Sequence, residues 1–111
     1  MQKRDKLNFS EGTINFWVPE GKIDYKDNKF VQLFYYNDGQ DTIKIIKDKD
    51  NGLKVYYLFQ GNKCLLNTKV DDLEDDDKHM ITVTWSLPER KVKLYIDAIL
   101  KDECEIEVSP F

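Results

Sequence analysis

Apolar and polar residues alternate most regularly between positions 79 and 97, which read HMITVTWSLPERKVKLYID. Apolar side chains occupy every second position on both sides of a proline-containing turn: Ile81, Val83, Trp85, Leu87, Val92, Leu94 and Ile96. A period of two is typical of strands with one buried face. A four-residue loop at 88–91 pairs Trp85 with Leu94 and puts the apolar residues on one face. The pattern therefore predicts a β-hairpin in which Trp85 and Leu94 are both buried.

Two segments nearer the start carry further strand signals. Positions 13–18 alternate, with Ile14, Phe16 and Val18 on one side and Trp17 on the other. Positions 30–36 read FVQLFYY and are apolar on both faces, which predicts a central strand covered on two sides.

Positions 42–60 predict a second hairpin around the sequence DNG. A loop made only of Asn-Gly would place a glutamine opposite an isoleucine. A three-residue loop with Gly52 in the left-handed conformation instead pairs Ile45 with Tyr57. The second register buries more apolar surface in each pair, so we prefer it.

Further strand signals follow at 64–70 and 99–108, separated from the central hairpin by an acidic stretch and a turn. No segment shows a helical apolar stripe longer than about two turns. Many short strands between turn signals predict an all-β chain folded as an antiparallel β-sandwich. A chain of 111 residues is too short for two separate cores, so we expect a single domain over 1–111.

Composition narrows the classes of function. Hydrophobic residues make up 41% of the chain, which suffices for a packed interior, and the formal net charge is −4. An acidic chain is a poor binder of nucleic acid. No apolar run reaches the roughly 20 residues that span a bilayer, so membrane insertion is not expected. The basic start has no apolar segment after it, so a signal peptide is not predicted, and the chain is either cytoplasmic or an excised extracellular module.

The chain has two cysteines, Cys64 and Cys104, and their number alone says little about whether they are oxidised or reduced. They would form a disulfide if their strands were neighbours. The lack of a signal peptide favours free, partly buried thiols.

Five aromatic residues are candidates for ligand binding. Trp17, Tyr35, Tyr56 and Tyr95 fall on the strand face opposite to the core residues, and Tyr25 lies in a polar loop. Aromatic rings stack on sugars and are favoured at interfaces. The alternative interpretation is that most of them fill a thin sandwich core.

Carboxylates offer a candidate calcium site. Positions 71–77 hold six carboxylates in seven residues, and Ca²⁺ takes six to eight oxygen ligands. The candidate ligands are Asp24, Asp27, Asp75 and Asp77. Consecutive side chains cannot all point at one ion, so a solvated acidic loop is the favoured interpretation.

Catalysis is not expected. His79 is the only histidine, and no serine or cysteine near it forms a recognisable nucleophile motif.

The order of motifs resembles the laminin G-like or concanavalin A-like family of lectin and glucanase jelly rolls. The motifs are GTINFWV, LFYY, TIKIIKD, NGLKVYY, DLEDDDKHMITVTWS and KVKLYIDA, over about residues 11–100. Lys78 stands where the family usually has tryptophan, and Ala98 where it has glycine. The chain is shorter than family members usually are, so the resemblance implies a compact or truncated jelly roll.

Members of this family bind glycans or proteins, often with Ca²⁺, and one branch hydrolyses β-glucans through an E-x-D-x-E strand motif. The nearest segment here, ECEIE at 103–107, lacks the central aspartate, so the catalytic role is not carried over. The resemblance implies a non-catalytic module that recognises a glycan or a protein surface. The alternatives are a structural or assembly domain without a small ligand and, third, a degenerate glucanase-like domain.

Self-association is a further expectation from the short chain. A jelly roll with missing outer strands leaves an open sheet edge, through which two copies can pair as a homodimer. The alternative is that charged residues near both ends block this edge.

Overall fold

The computed structural model describes residues 10–73 and 77–106, and within these ranges the chain forms eight strands and no helix. The strands are β1 (Glu11–Val18), β2 (Val31–Asn37), β3 (Thr42–Lys47), β4 (Gly52–Phe59), β5 (Asn62–Lys69), β6 (His79–Ser86), β7 (Lys91–Ile96) and β8 (Ile99–Glu105). They build two antiparallel sheets, which we call sheet A (order β1-β6-β7-β8) and sheet B (order β2-β3-β4-β5). The predicted antiparallel β-sandwich is confirmed.

The core lies between the two sheets and follows the period-two pattern of the sequence. On β6, Ile81, Val83 and Trp85 are buried, whereas the residues between them are half-buried. Trp85 meets Tyr57 of sheet B with 6.4 Å between ring centroids. Trp17 lies on the exposed side of β1, as the alternation of that strand predicts.

The register of the β6–β7 hairpin differs from the prediction by two residues. Trp85 pairs with Val92 and Val83 with Leu94, because the loop closes at 87–90 instead of 88–91. The Arg90 N–H donates a 3.0 Å hydrogen bond to the Leu87 carbonyl, and Arg90 adopts a left-handed conformation. The predicted pairing of Trp85 with Leu94 is wrong. Their predicted burial is confirmed, because a shift of two residues keeps each side chain on its face.

The β3–β4 hairpin shows the same kind of difference. Ile45 pairs with Val55 instead of Tyr57, and the left-handed residue of the loop is Asn51 instead of Gly52. The Asp48 N–H donates a 2.9 Å hydrogen bond to the Gly52 carbonyl, so the loop closes at 49–51, one residue earlier than predicted. The Asp48 carboxylate organises this loop, since its Oδ1 atom accepts hydrogen bonds from two loop N–H groups at 2.9 and 3.0 Å.

Gly52 lies close to side-chain oxygens of Asn67 and Asp48. A Cβ atom there would lie 2.9 Å from Asn67 Oδ1 on the neighbouring strand β5. An added side chain at position 52 would therefore displace the amide of the exposed Asn67 side chain.

Strand β2 lies at an edge of sheet B, so the prediction of a central strand covered on two sides is wrong. Its register shifts between Gln32 and Phe34, and none of its residues is fully buried. Tyr35 is 55% exposed, while its neighbours Phe34 and Tyr36 pack against the core. The segment is apolar on both faces because one face contacts the core and the other carries exposed aromatic surface.

A disulfide between Cys64 and Cys104 joins β5 of sheet B to β8 of sheet A, so the expectation of free thiols is wrong. Nearby, the Asn67 N–H donates a 2.9 Å hydrogen bond to Asp102 Oδ2 across the same pair of strands. The side of the sandwich formed by β5 and β8 is therefore closed by covalent and polar contacts.

The β7–β8 turn is tight although it contains alanine and no glycine. Asp97 and Ala98 both have positive φ, as the two central residues of a type I′ turn require. The left-handed conformation costs alanine about 1 kcal/mol. The Asp97 carboxylate offsets this cost, because its oxygens contact the Met80 N–H at 2.8 Å and His79 Nδ1 at 2.7 Å.

Candidate functional site

The four outward-facing aromatic residues divide between the two outer faces of the sandwich. Trp17 and Tyr95 lie on strands β1 and β7 of sheet A, and Tyr35 and Tyr56 on strands β2 and β4 of sheet B. Lys78 Nζ lies 4.9 Å from the centroid of the Trp17 ring. The predicted residues therefore do not form one site, because strand pairing places them on opposite surfaces.

Tyr25, the fifth aromatic candidate, belongs to the core. It is 4% exposed, and its ring meets the His79 ring edge-to-face with 5.4 Å between centroids. Ile23, two residues earlier, is buried as well. This spacing in an otherwise polar loop is the signal that could have identified Tyr25 as a core residue instead of a ligand contact.

Sheet B presents a line of side chains across all four of its strands. Tyr35 pairs with Lys44, Lys44 with Tyr56, and Tyr56 with Leu65. Leu65 is 56% exposed and Tyr56 is 36% exposed. Lys44 Nζ lies 4.9 Å from the centroid of the Tyr56 ring, a cation–π distance. We call these four residues the cross-strand row.

A shallow depression of about 610 Å³ adjoins this row. Its lining residues come from β3, β4 and β5: Thr42, Lys44, Tyr56, Tyr57, Leu58, Lys63, Cys64 and Leu65. Two of them are lysines, and none of the described lining residues carries a carboxylate or an amide side chain. The surface is therefore apolar with cationic groups beside it.

Sequence reasoning identified Tyr35 and Tyr56 but missed Lys44 and Leu65. The alternation of β5, which buries Cys64 and Leu66, is the signal that places Leu65 outward. The four residues can be recognised as one row only when the strand registers are known. The row was therefore missed, because the predicted β3–β4 register was wrong.

A second, polar depression of about 420 Å³ lies beside the β3–β4 loop. Its lining residues carry amide, carboxylate and ammonium groups, apart from one glycine: Asn28, Asp48, Asp50, Asn51, Gly52, Lys54, Asn67, Lys69 and Asp71. We call it the polar cleft.

Asp48 is the most strongly engaged carboxylate of the polar cleft. Its Oδ2 atom lies 3.1 Å from Lys54 Nζ. Partial burial alone would raise the pKa of Asp48, but hydrogen bonds from the Gly52 N–H and the Lys54 ammonium hold this pKa below its usual value. Asp48 is therefore ionised, and its oxygens are occupied by contacts that hold the loop.

The three described aspartates among those predicted to bind calcium, Asp24, Asp27 and Asp77, do not form a metal-binding group. Asp27 Oδ1 accepts a 2.8 Å hydrogen bond from Lys47, which lowers the pKa of Asp27, and Asp24 Oδ1 accepts one from the Lys26 N–H at 2.9 Å. Asp77 is exposed, and Asp75 lies outside the described residues. Within 10–73 and 77–106, no group of three His, Cys, Asp or Glu side chains is arranged to hold a metal ion.

His79 and Asp97 connect the start of β6 to the β7–β8 turn. Burial alone would raise the pKa of Asp97, but hydrogen bonds from His79 and the Met80 N–H lower it.

In the ECEIE segment, Glu103 pairs with Lys91 at 3.0 Å and Cys104 is in the disulfide. Glu107 lies outside the described residues.

No protein-family model matches this chain, and no curated protein is significantly similar to it. In the part of the chain that the structure describes, there is no helix long and apolar enough to cross a membrane.

Proposed function

We propose that this domain is a non-catalytic recognition module that binds a protein segment on the outer face of sheet B. The observation that carries the proposal is the cross-strand row with its adjoining apolar depression. Contiguous exposed apolar surface marks sites of protein contact, and tyrosine is enriched among the residues that dominate binding energy. The binding centre is expected at Tyr56 and Leu65, where the row borders the depression.

The charges beside the depression indicate the chemistry of the partner. Lys44 and Lys63 both line it, and neither has a carboxylate partner among the described lining residues. A bound segment that combines apolar side chains with aspartate or glutamate would fill the apolar surface and pair with both ammonium groups. Complementary charge would also exclude basic segments.

The order of motifs supports assigning the sandwich to the laminin G-like, concanavalin A-like jelly rolls. Two antiparallel four-stranded sheets are compatible with this assignment. Members of that family bind proteins or glycans, so the proposed activity fits the resemblance. Fold alone does not choose the ligand, and the choice of a protein segment rests on the chemistry of the sheet B surface.

A glycan bound in the polar cleft is the second candidate function. The cleft combines the amides of Asn28 and Asn67 with the ammonium of Lys69 and carboxylates, groups that hydrogen-bond sugar hydroxyls. Among its described lining residues there is no aromatic ring on which a sugar could stack, so we place this candidate second.

The two candidate functions are distinguished by screening the protein against a peptide display library and a glycan array. Each screen is repeated with one variant of the cross-strand row and one variant of the polar cleft. We expect enrichment of acidic, apolar peptides. Replacing Tyr56 by alanine should weaken their binding at least about tenfold, as expected for a central interface tyrosine. Asn67→Ala should leave peptide binding unchanged. Glycan binding that is lost in Asn67→Ala and retained in Tyr56→Ala would favour the second candidate, and no binding in either screen would favour a structural domain.

A further inference from the structure

Within residues 10–73 and 77–106, one side of the sandwich has open strand edges. Strands β5 and β8 are joined by the disulfide, whereas β1 and β2, on the opposite side, each pair with one strand among the described residues. An open edge presents unpaired N–H and C=O groups that can accept another strand.

The edge strands differ in how well charge protects them. The closed side carries Lys63 and Lys69 on β5, and β8 has four charged residues in seven. Strand β1 begins with Glu11. Strand β2 reads VQLFYYN and has no charged residue, and Phe30, which directly precedes it, is 54% exposed. Natural edge strands are usually guarded by charge, so β2 is the edge best suited to pairing.

The sequence of β2 is also complementary to itself. The register shift before Phe34 confines the regular part of the strand to 34–37. In an antiparallel pair of identical strands, a two-fold axis must pass through a residue position for each side chain to keep its face. An axis at Tyr35 sets this residue opposite its own copy on the outer face. On the inner face it sets Phe34 opposite the second copy's Tyr36, and aromatic cross-strand pairs stabilise sheets.

We propose that two copies of this chain associate through β2, antiparallel about a two-fold axis at Tyr35, and so form one continuous eight-stranded sheet. The cross-strand row of each copy then joins that of the other, with the two Tyr35 side chains at the centre. The proposal does not depend on peptide binding, because it rests on the edge of sheet B and not on the depression near Leu65.

A pairing of a few residues gives a small interface, at the transient end of the range for protein complexes. We therefore expect a dimer that dissociates at roughly 10–100 µM, the affinity range of weak complexes. Sedimentation equilibrium of the full chain over a hundredfold dilution should show a monomer–dimer transition. A monomer at every concentration up to about 200 µM, above the expected dissociation constant, would overturn the proposal.

Variants on the row separate the dimer from peptide binding. Tyr35→Glu sets two like charges directly opposite each other and should weaken dimerisation at least about tenfold, whereas Tyr35→Phe should retain it. Tyr56→Glu, two strands from the edge, should leave the dimer intact while abolishing peptide binding. Equal unfolding midpoints of Tyr35→Glu and the wild type would show that loss of the dimer is not loss of fold. A dimer that is unaffected by Tyr35→Glu would contradict the placement of the two-fold axis at Tyr35.

Cross-linking locates the edge directly. Tyr35→Cys should yield a covalent dimer with a short bis-maleimide, because directly opposed Cβ atoms lie about 4.5–5.5 Å apart. Asn15→Cys, at the middle of the β1 edge, is the matched control and should remain monomeric. Cross-linking of Asn15→Cys but not of Tyr35→Cys would move the interface to sheet A and refute the proposal.

Discussion

Lys47 points into the sandwich, and its Nζ atom donates a 2.8 Å hydrogen bond to Asp27 Oδ1. The lysine is 1% exposed and also donates to the Lys29 carbonyl at 2.6 Å. Through these contacts the loop between β1 and β2 is attached to the end of β3. Buried charges are tolerated only when such partners satisfy them.

Truncating this lysine should destabilise the fold. Lys47→Ala leaves a cavity and removes the anchor of the loop, so we expect the free energy of unfolding to fall by about 3 kcal/mol. Lys47→Met, which restores most of the volume, should recover part of this loss. Urea denaturation measures both values. The exposed neighbour Lys49→Ala serves as the control, and equal stability of Lys47→Ala and Lys49→Ala would contradict the structural role of Lys47.

Trp85 is the largest apolar side chain at the centre of sheet A. Because it is buried against Val92 and Tyr57, Trp85→Ala should lower the free energy of unfolding by about 3–5 kcal/mol. Thr84→Ala, on the outer face of the same strand, should change it by less than about 0.5 kcal/mol. Chemical denaturation followed by circular dichroism tests this difference, which would vanish if Trp85 lay in solvent.

The disulfide should contribute measurably to stability. It closes a segment with a sequence separation of 40 residues between Cys64 and Cys104, and bridges of this kind typically stabilise proteins by about 2–4 kcal/mol. The double substitution of both cysteines by alanine should lower the free energy of unfolding by that amount. A reductant should lower the unfolding midpoint of the wild type and leave that of the double variant unchanged. Indifference of the wild type to the reductant would argue against the bridge.

Stability should decrease in acid through Asp97. Its pKa in the folded chain lies below the usual value of 3.8, so the unfolded chain binds a proton more readily than the folded one. The contribution of Asp97 is therefore present above about pH 4 and is lost as pH falls through the lowered pKa. Asp97→Asn should be less stable than the wild type at neutral pH, and the difference should shrink as the pH falls below about 4. A difference that stays constant with pH would contradict this assignment.

In the two hairpins, the sequence predicted which side chains face the core, but not which residues lie opposite each other. Both hairpins kept their predicted faces and shifted by two residues, because the alternation is unchanged by such a shift. The turns decided the register, because each loop closes one residue earlier than expected: one is held by Asp48 and the other by Arg90.

The location of strands within the sheets was less accessible to sequence reasoning. The sequence of β2 is apolar on both faces, as that of a strand covered on two sides would be, yet Tyr35 is solvent-exposed. The pairing of Cys64 with Cys104 depends on β5 and β8 being neighbours across the sandwich, which no local pattern reports. The division of the aromatic candidates between two surfaces also depends on which sheet each strand joins, which no local pattern reports.

Recognition on the outer face of sheet B can be followed residue by residue. An acidic, apolar peptide from the peptide screen is titrated into isotopically labelled protein, and the backbone amide signals are recorded by NMR. We expect the signals of Lys44, Tyr56 and Leu65 to shift together and saturate, and those of Asn51 and Lys69 in the polar cleft to stay unchanged. Saturating shifts confined to the polar cleft, with the cross-strand row unchanged, would contradict recognition on this face.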